Sequence, residues 1–326
     1  MVRRAMTEGP TPNTAEPRRQ MLSVVVPVFN NEPSLDTLFE QLTGFEDGLA
    51  DKGLGLELIF VDDGSADASY AKLLDIRHRR PATKLIRLTR NFGAVAAARA
   101  GMRLAAGDVL TLLAADLQDR LDKLGEMIEH WQAGSKFVIC LRSNRRDPLA
   151  SRLFAGLYYR ILNRLALQSY PQSGFDLMLL DRTLLPYMLQ GSVLVSPQLT
   201  AFWLGFEPAV VSAERAARPH GRSTWTFAKR LKLFVDTITS FSLAPIRIAS
   251  VIGLMAALGG LGYGAYIFIS ALLGNFEVPG FATLVVLISF FSGLILLMLG
   301  IIGEYLWRIF SVLDERPESV IKETHL

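Results

Sequence analysis

The sequence is poor in the residues that carry covalent and zinc chemistry, with one cysteine and four histidines among 326 residues. A lone Cys140 excludes an internal disulfide framework and fits a reducing compartment. It adjoins the apolar run Phe137-Val138-Ile139, which predicts a buried structural thiol rather than a nucleophile. There is no zinc-ligand spacing, no Walker loop and no Ser/His/Asp order, so these chemistries drop out as readings. Residues 1–20 lack an apolar h-region and are not a secretory signal. Their Pro, Thr, Glu and Arg content reads as a disordered lead-in. Charge imbalance is missing too: 34 Lys and Arg against 31 Asp and Glu leave +3, too little to imply a nucleic-acid partner.

Two stretches lack charge altogether. Half of the residues are hydrophobic and the mean hydropathy is +0.30, but the apolar content is concentrated at Ile248 to Phe276 and Val278 to Gly303. Each exceeds the roughly 20 residues that cross about 30 Å of hydrocarbon as a helix. The sequence therefore predicts two spanning helices, at about 248–273 and 281–304, followed by a cytosolic tail over 311–326. Arg215, Arg218, Arg222, Lys229, Arg230, Lys232 and Arg247 precede the first span, and Arg308, Arg316 and Lys322 follow the second. The connecting loop has no Lys or Arg, so the positive-inside rule puts both termini and the large N-terminal domain in the cytoplasm. Residues 225–243 read as a basic amphipathic juxtamembrane helix lying in the headgroup layer.

Residues 21–224 carry the remaining domain. Apolar runs at Leu22–Phe29, Glu57–Val61, Lys84–Leu88, Val109–Leu113 and Phe137–Leu141 alternate with helical stretches. That alternation predicts an α/β domain with a mostly parallel sheet. Ligands bind such sheets outside the carboxyl ends of the strands, where Asn30-Asn31-Glu32, Asp62-Asp63, Arg90-Asn91 and Asp116-Leu117-Gln118-Asp119 fall. Asp62-Asp63-Gly64-Ser65 predicts a turn with Ser65 as helix cap, and its acids can also accept hydrogen bonds from a base or ribose. Asp116 and Gln118, at i and i+2, suit Mg²⁺ or Mn²⁺, which takes its other ligands from phosphates and water; a solvated acidic loop is the alternative. Arg142, Arg145, Arg146 and Arg152, with Arg218 to Ser223, suit a phosphate headgroup or anionic lipid in general.

In order, SVVVPVFNNE (23–32), LIFVDDGSAD (58–67), LIRLTRNFGAVAAARAG (85–101), ADLQD (115–119), SGFDLMLLDR (173–182), TITSFSLAPIR (237–247) and LGIIGEYLWRIF (299–310) run through nearly the whole chain. The set resembles the polyprenyl-phosphate glycosyltransferases, membrane members of glycosyltransferase family 2 related to dolichyl-phosphate mannose synthase. The resemblance implies a Rossmann-like GT-A domain, a divalent metal, a nucleoside-diphosphate sugar donor with UDP favoured, and inverting transfer to a polyprenyl phosphate such as undecaprenyl phosphate. It further implies a bacterial inner-membrane location, and homotetramers occur in the family, with the oligomeric state of this chain left open. By position, Pro27, Phe29, Asn31, Asp62 and Asp63 would hold the nucleotide, and Asp116 and Gln118 the metal. Arg142, Arg152, Arg218 and Ser223 would handle the acceptor phosphate, and Asp176 would contact sugar or acceptor. The pattern departs where Ala114-Ala115-Asp116 replaces Asp-Ala-Asp, where Asn31 replaces an acid, and at Arg120 and Thr224. Ala114 motivates the alternative of a weakened or non-catalytic protein that kept the fold. A processive synthase would carry Gln-x-x-Arg-Trp and more spans, and neither is here.

Overall fold

The computed structural model describes residues 19–116, 121–142, 160, 163–164, 170–171, 174–190, 195–213, 239, 242–273, 280–313 and 316–326. Its centre is a sheet built from runs that are apolar on both faces. β1 (Gln20–Val28), β2 (Leu54–Asp62), β3 (Lys84–Leu88) and β4 (Val109–Leu112) are mutually parallel where they pair. Continuous rather than alternating apolar sequence is what a parallel strand covered on both faces requires. Val24, Val26 and Val28 of β1 pack on one side with Leu35, Leu38 and Leu42 of α1 (Glu32–Asp51). On the other side Val25 packs with Ile59, Val61 and Ala97, the last from α3 (Ala94–Leu104). Between them in sequence lies α2 (Ser69–Arg79), on the α1 face.

Among the described residues the sheet has eight strands in the order β7-β5-β6-β4-β1-β2-β3-β8. The chain moves outward from β1 through β2 to β3, then returns to the other side of β1 with β4. The gap between β1 and β4 is therefore a topological switch point, where helices leave in opposite directions and a crevice opens. α4 (Leu121–Gln132) leads to β5 (Phe137–Arg142). β6 (Phe175–Asp181) is antiparallel to both β4 and β5. A 3-10 turn at Arg182–Leu184, α5 (Leu185–Met188) and α6 (Pro197–Trp203) lead to β7 (Ala209–Ala213), which is parallel to β5.

Two helices follow, α7 (Ala244–Leu272) and α8 (Phe281–Leu313), both long and apolar enough to cross a membrane and both unburied along their apolar windows. Each is longer than its sequence-predicted span. The 33 residues of α8 extend about 50 Å at 1.5 Å per residue, well beyond the charge-free stretch. The extension carries an Arg308–Glu304 ion pair at 3.4 Å, and the Tyr305 hydroxyl donates to the Ser242 carbonyl at 2.7 Å, tying the end of α8 to the start of α7. The sequence assigned no strand beyond α8, yet β8 (Ile321–His325) returns to the sheet and pairs antiparallel with β3. Its own residues are too polar to read as a strand alone; a partner edge makes it one.

Candidate active site

The carboxyl ends of β1, β2 and β3 are joined by hydrogen bonds between their loops. In the β1–α1 loop, Asn30 adopts a left-handed conformation at φ 52°, which Asn tolerates better than bulkier residues. Its amide N–H donates to Ser65 Oγ at 3.1 Å and its Oδ1 accepts from Ala66 N–H at 2.9 Å. The Asn31 N–H donates to Ser69 Oγ at 2.9 Å. These bonds correct the expectation that Ser65 caps a helix. α2 starts at Ser69 behind Ala68, and the Ser65 hydroxyl is spent on the neighbouring loop.

The β2–α2 loop is held on its other side as well. Asp63 is 2 % exposed, and its two oxygens accept from Phe92 N–H at 2.7 Å and Gly93 N–H at 2.8 Å, just ahead of α3. Burial pushes this carboxyl above its ordinary range, against the pull of those two donors. Gly64, at φ 70°, lies so close to the third loop that a Cβ would fall 2.5 Å from the Arg90 carbonyl carbon. Asp62 is fully buried. Its Oδ1 accepts from Ser65 N–H at 3.2 Å, whereas its Oδ2 has no hydrogen-bond partner and lies 3.5 Å from Arg87 Nε. A buried carboxylate oxygen left without a donor is costly in a folded protein unless something else supplies one.

Across the switch point stands Asp116, half-buried just past β4. The preceding backbone is fixed by Ser34, whose hydroxyl donates to the Ala115 carbonyl at 2.6 Å, so the start of α1 is anchored to the end of β4. Pro27 is half-buried at the end of β1, and Phe29 is 43 % exposed on the same rim, an aromatic face available for stacking. Asn31 Oδ1 is turned back onto Phe29 N–H at 3.1 Å. Arg142 ends β5, and Asp176 lies near the start of the antiparallel β6, so both backbones reach the rim that carries Asp116. Gln118, Arg152, Arg218 and Ser223 lie outside the described residues, as does most of 225–243.

Residues 23–182 match Glycosyl transferase family 2. An uncharacterized glycosyltransferase of Synechocystis sp. is 30% identical over 309 residues, covering 93% of this chain and 95% of that protein. The SfII prophage-derived bactoprenol glucosyl transferase of Shigella flexneri is 32% identical over 311 residues, covering 93% and 98% respectively. The glycosyltransferase YkcC of Bacillus subtilis (strain 168), also uncharacterized, is 32% identical over 311 residues, covering 94% and 95%. The chain belongs to glycosyl transferase family 2.

It is a family 2 glycosyltransferase with a GT-A-like domain. Of the expected metal pair only Asp116 is described, and its carboxylate suits a hard divalent cation. Asp116 offers carboxylate oxygen from a fixed backbone, and no three His, Cys, Asp or Glu side chains gather among the described residues. Mg²⁺ and Mn²⁺ need few protein ligands when phosphates and water complete the shell. Cys140 is 3 % exposed, the structural thiol expected.

Sequence reasoning missed the support behind Asp62. Arg87 lies over the Tyr70 ring, its Cζ 4.0 Å from the centroid. Both residues also reach Glu323 on β8: Tyr70 Oη donates to Glu323 Oε2 at 2.6 Å, and Arg87 Nη1 is 3.6 Å from Glu323 Oε1. An arginine inside the β3 run was the available signal. Its partner lay in the tail, outside any local pattern.

Proposed function

We propose that this family 2 glycosyltransferase moves a sugar from a nucleoside-diphosphate sugar, UDP-linked by preference, onto a polyprenyl phosphate such as undecaprenyl phosphate at the cytoplasmic face of a membrane. The observation that carries the reading is the rim at the switch point, where Pro27, the exposed Phe29 and Asp116 stand at the carboxyl ends of the adjacent parallel strands β1 and β4. Phe29, 43 % exposed, and the half-buried Pro27 offer apolar faces to the ring of a base there. Two helices able to cross a membrane and full-length similarity to a protein named as a bactoprenol glucosyl transferase support a lipid acceptor.

Asp116 and Gln118 would hold a divalent cation. When bound, that cation supplies charge neutralisation for the departing diphosphate. In the transfer, an acceptor phosphate oxygen forms a bond to the anomeric carbon from the face opposite the diphosphate. The carbon–oxygen bond to the diphosphate breaks, and the nucleotide leaves with the electron pair, inverting the centre. A phosphate monoester has its second pKa near 6 and is largely ionised at neutral pH. It needs little general-base help, so the site's task is alignment and electrostatics. Arg142, Arg152, Arg218 and Ser223 would bind the acceptor phosphate, and Asp176 would contact the sugar or the acceptor. Because β8 and β3 share a sheet, two crossings return the chain to the side it left. The positive-inside pattern makes that side cytoplasmic.

The reading is tested with purified protein, Mn²⁺, radiolabelled UDP- and GDP-hexoses and undecaprenyl phosphate. Labelled lipid should form with the wild-type chain, and Asp116→Ala should lower turnover at least about 100-fold while leaving the melting temperature in place. Transfer undiminished in that variant would remove Asp116 from the metal's shell.

A further inference from the structure

The segment that carries Asp116 is pinned from α1 as well as from the sheet. β4 pairs with β1 as far as Leu112, and Leu113 N–H adds one further bond to the Val25 carbonyl at 3.0 Å. Ala114 and Ala115 follow, and neither side chain has a polar atom, so polar anchoring of this turn must go through its backbone. The neighbour that meets it is Ser34, in the first turn of α1 and 6 % exposed. Its hydroxyl oxygen lies 2.6 Å from the Ala115 carbonyl oxygen and 3.0 Å from that of Asn31. A hydroxyl has one proton to give, and the shorter contact takes it. The Asn31 carbonyl already receives Ser34 N–H at 3.0 Å. Asn31 in turn closes the β1–α1 loop onto Phe29 N–H and is tied to α2 through Ser69. The first turn of α1 is therefore a rigid spacer between the loop bearing Phe29 and the residue ahead of Asp116.

We propose that Ser34 is a positioning residue for the divalent cation: its bond to the Ala115 carbonyl fixes the Asp116 carboxylate relative to the Phe29 rim, so that one nucleoside diphosphate can meet both. This rests on the reading that Asp116 holds the cation. Ser34 is buried and acts through Ala115. Ala115 is itself 4 % exposed, so a carbonyl that loses the hydroxyl stays in a setting where an unmet acceptor is costly. The turn regains a partner by moving toward water, and it carries Asp116 with it. A base can still stack on Phe29 after that shift, but the diphosphate and its cation no longer meet the carboxylate together. The loss falls on the coupling between metal and nucleotide rather than on nucleotide binding by itself.

The test uses the full chain in detergent, titrated by calorimetry with UDP and with GDP, each in the presence and in the absence of Mn²⁺. In the wild-type chain Mn²⁺ should tighten the nucleotide that binds, and the ratio of the two Kd values measures the coupling. Ser34→Ala should cut that ratio about ten-fold, the size expected for one lost buried hydrogen bond, with the metal-free Kd within about two-fold of wild type. Ser34→Thr keeps the hydroxyl and should keep the ratio, whereas Ser34→Cys offers a much weaker donor and should lose most of it. In an Asp116→Ala background Ser34→Ala should lower the ratio no further, since both act through one carboxylate. A purely structural role predicts instead a lower melting temperature and a smaller binding-competent fraction, with the ratio unchanged. Should Ser34→Ala fail to fold, the comparison of Ser34→Thr with Ser34→Cys decides. A wild-type ratio in Ser34→Ala or Ser34→Cys, or equal losses in Ser34→Thr and Ser34→Cys, overturns the role of Ser34 and leaves the Asp116 reading standing. A wild-type chain that binds neither nucleotide, or binds one without regard to Mn²⁺, overturns both.

Discussion

Glu57 shows how much of this molecule depends on single polar side chains placed under the sheet. At 6 % exposure, it accepts from the Ser23 hydroxyl, from Ala106 N–H at 2.8 Å, and pairs with Lys84 at 2.7 Å. Burial alone would raise its carboxyl, but Lys84, Ser23 and the Ala106 amide together hold it below the usual range. A carboxyl lowered in the folded state contributes stability that is present above the ordinary glutamate pKa of about 4.3 and lost as pH falls through the folded value. Glu57→Gln should therefore cost about 1–3 kcal/mol at pH 7. In urea melts across pH the gap to wild type should narrow below about pH 4; a gap that stays constant would remove the ionised carboxylate from the account. Gly64 is a backbone case. Its positive φ and the 2.5 Å approach to Arg90 leave no room for a methyl group. Gly64→Ala should destabilise by roughly 1–3 kcal/mol and weaken UDP binding, since the shifted loop carries Asp63's partners. Thermal unfolding with and without UDP reads both effects.

At the scale of elements, the strands were legible and their connections less so. β1 to β5 fall within a few residues of the apolar runs that predicted them, because a strand covered on both faces must be apolar throughout. The Ser65 cap was misread for a physical reason. A Ser after a strand is a good cap only if no nearer donor claims it, and Asn30 N–H, brought over by β1–β2 pairing, does so. The start of α3 is organised the same way, by Asp63 rather than by a capping residue of its own. Asn at this position can present one acceptor oxygen but turns an N–H₂ toward the second donor. Asp63→Asn should thus cost about 1–3 kcal/mol and should raise hydrogen-exchange rates in residues 90–97 more than elsewhere. Uniform exchange across α3 would show that the carboxylate does not organise that helix.

For the whole molecule, the question is how a soluble-type sheet and two apolar helices are assembled into one unit. Both helices are long and apolar enough to cross a membrane, and β8 beyond them pairs with β3, so the tail returns to the sheet that precedes them. Cys140 is buried, so introduced cysteines report cleanly. Asn275→Cys, between the helices, should react with a membrane-impermeant maleimide in intact cells. Arg316→Cys should react only after the membrane is opened; labelling of both from outside would discard the two-crossing topology. A fragment ending at residue 243 lacks β8 and bares β3 as an edge, a template for pairing with other chains. It should self-associate in size-exclusion chromatography, and appending residues 316–326 through a flexible linker should return it toward monomer.

The sequence alone determined what depends on neighbours along the chain: strands from continuous apolar runs, two helices from charge-free stretches, and acids that end up on a rim because they follow strands. It also carried the family, since ordered motifs are themselves linear. Tertiary structure decided how each of those acids is partnered. Asp63 is saturated by the next loop, whereas Asp62 keeps one oxygen beside an arginine shared with the tail. That distinction depends on pairings between residues far apart in sequence, and a polar tail becomes a strand only when β3 offers its unpaired edge.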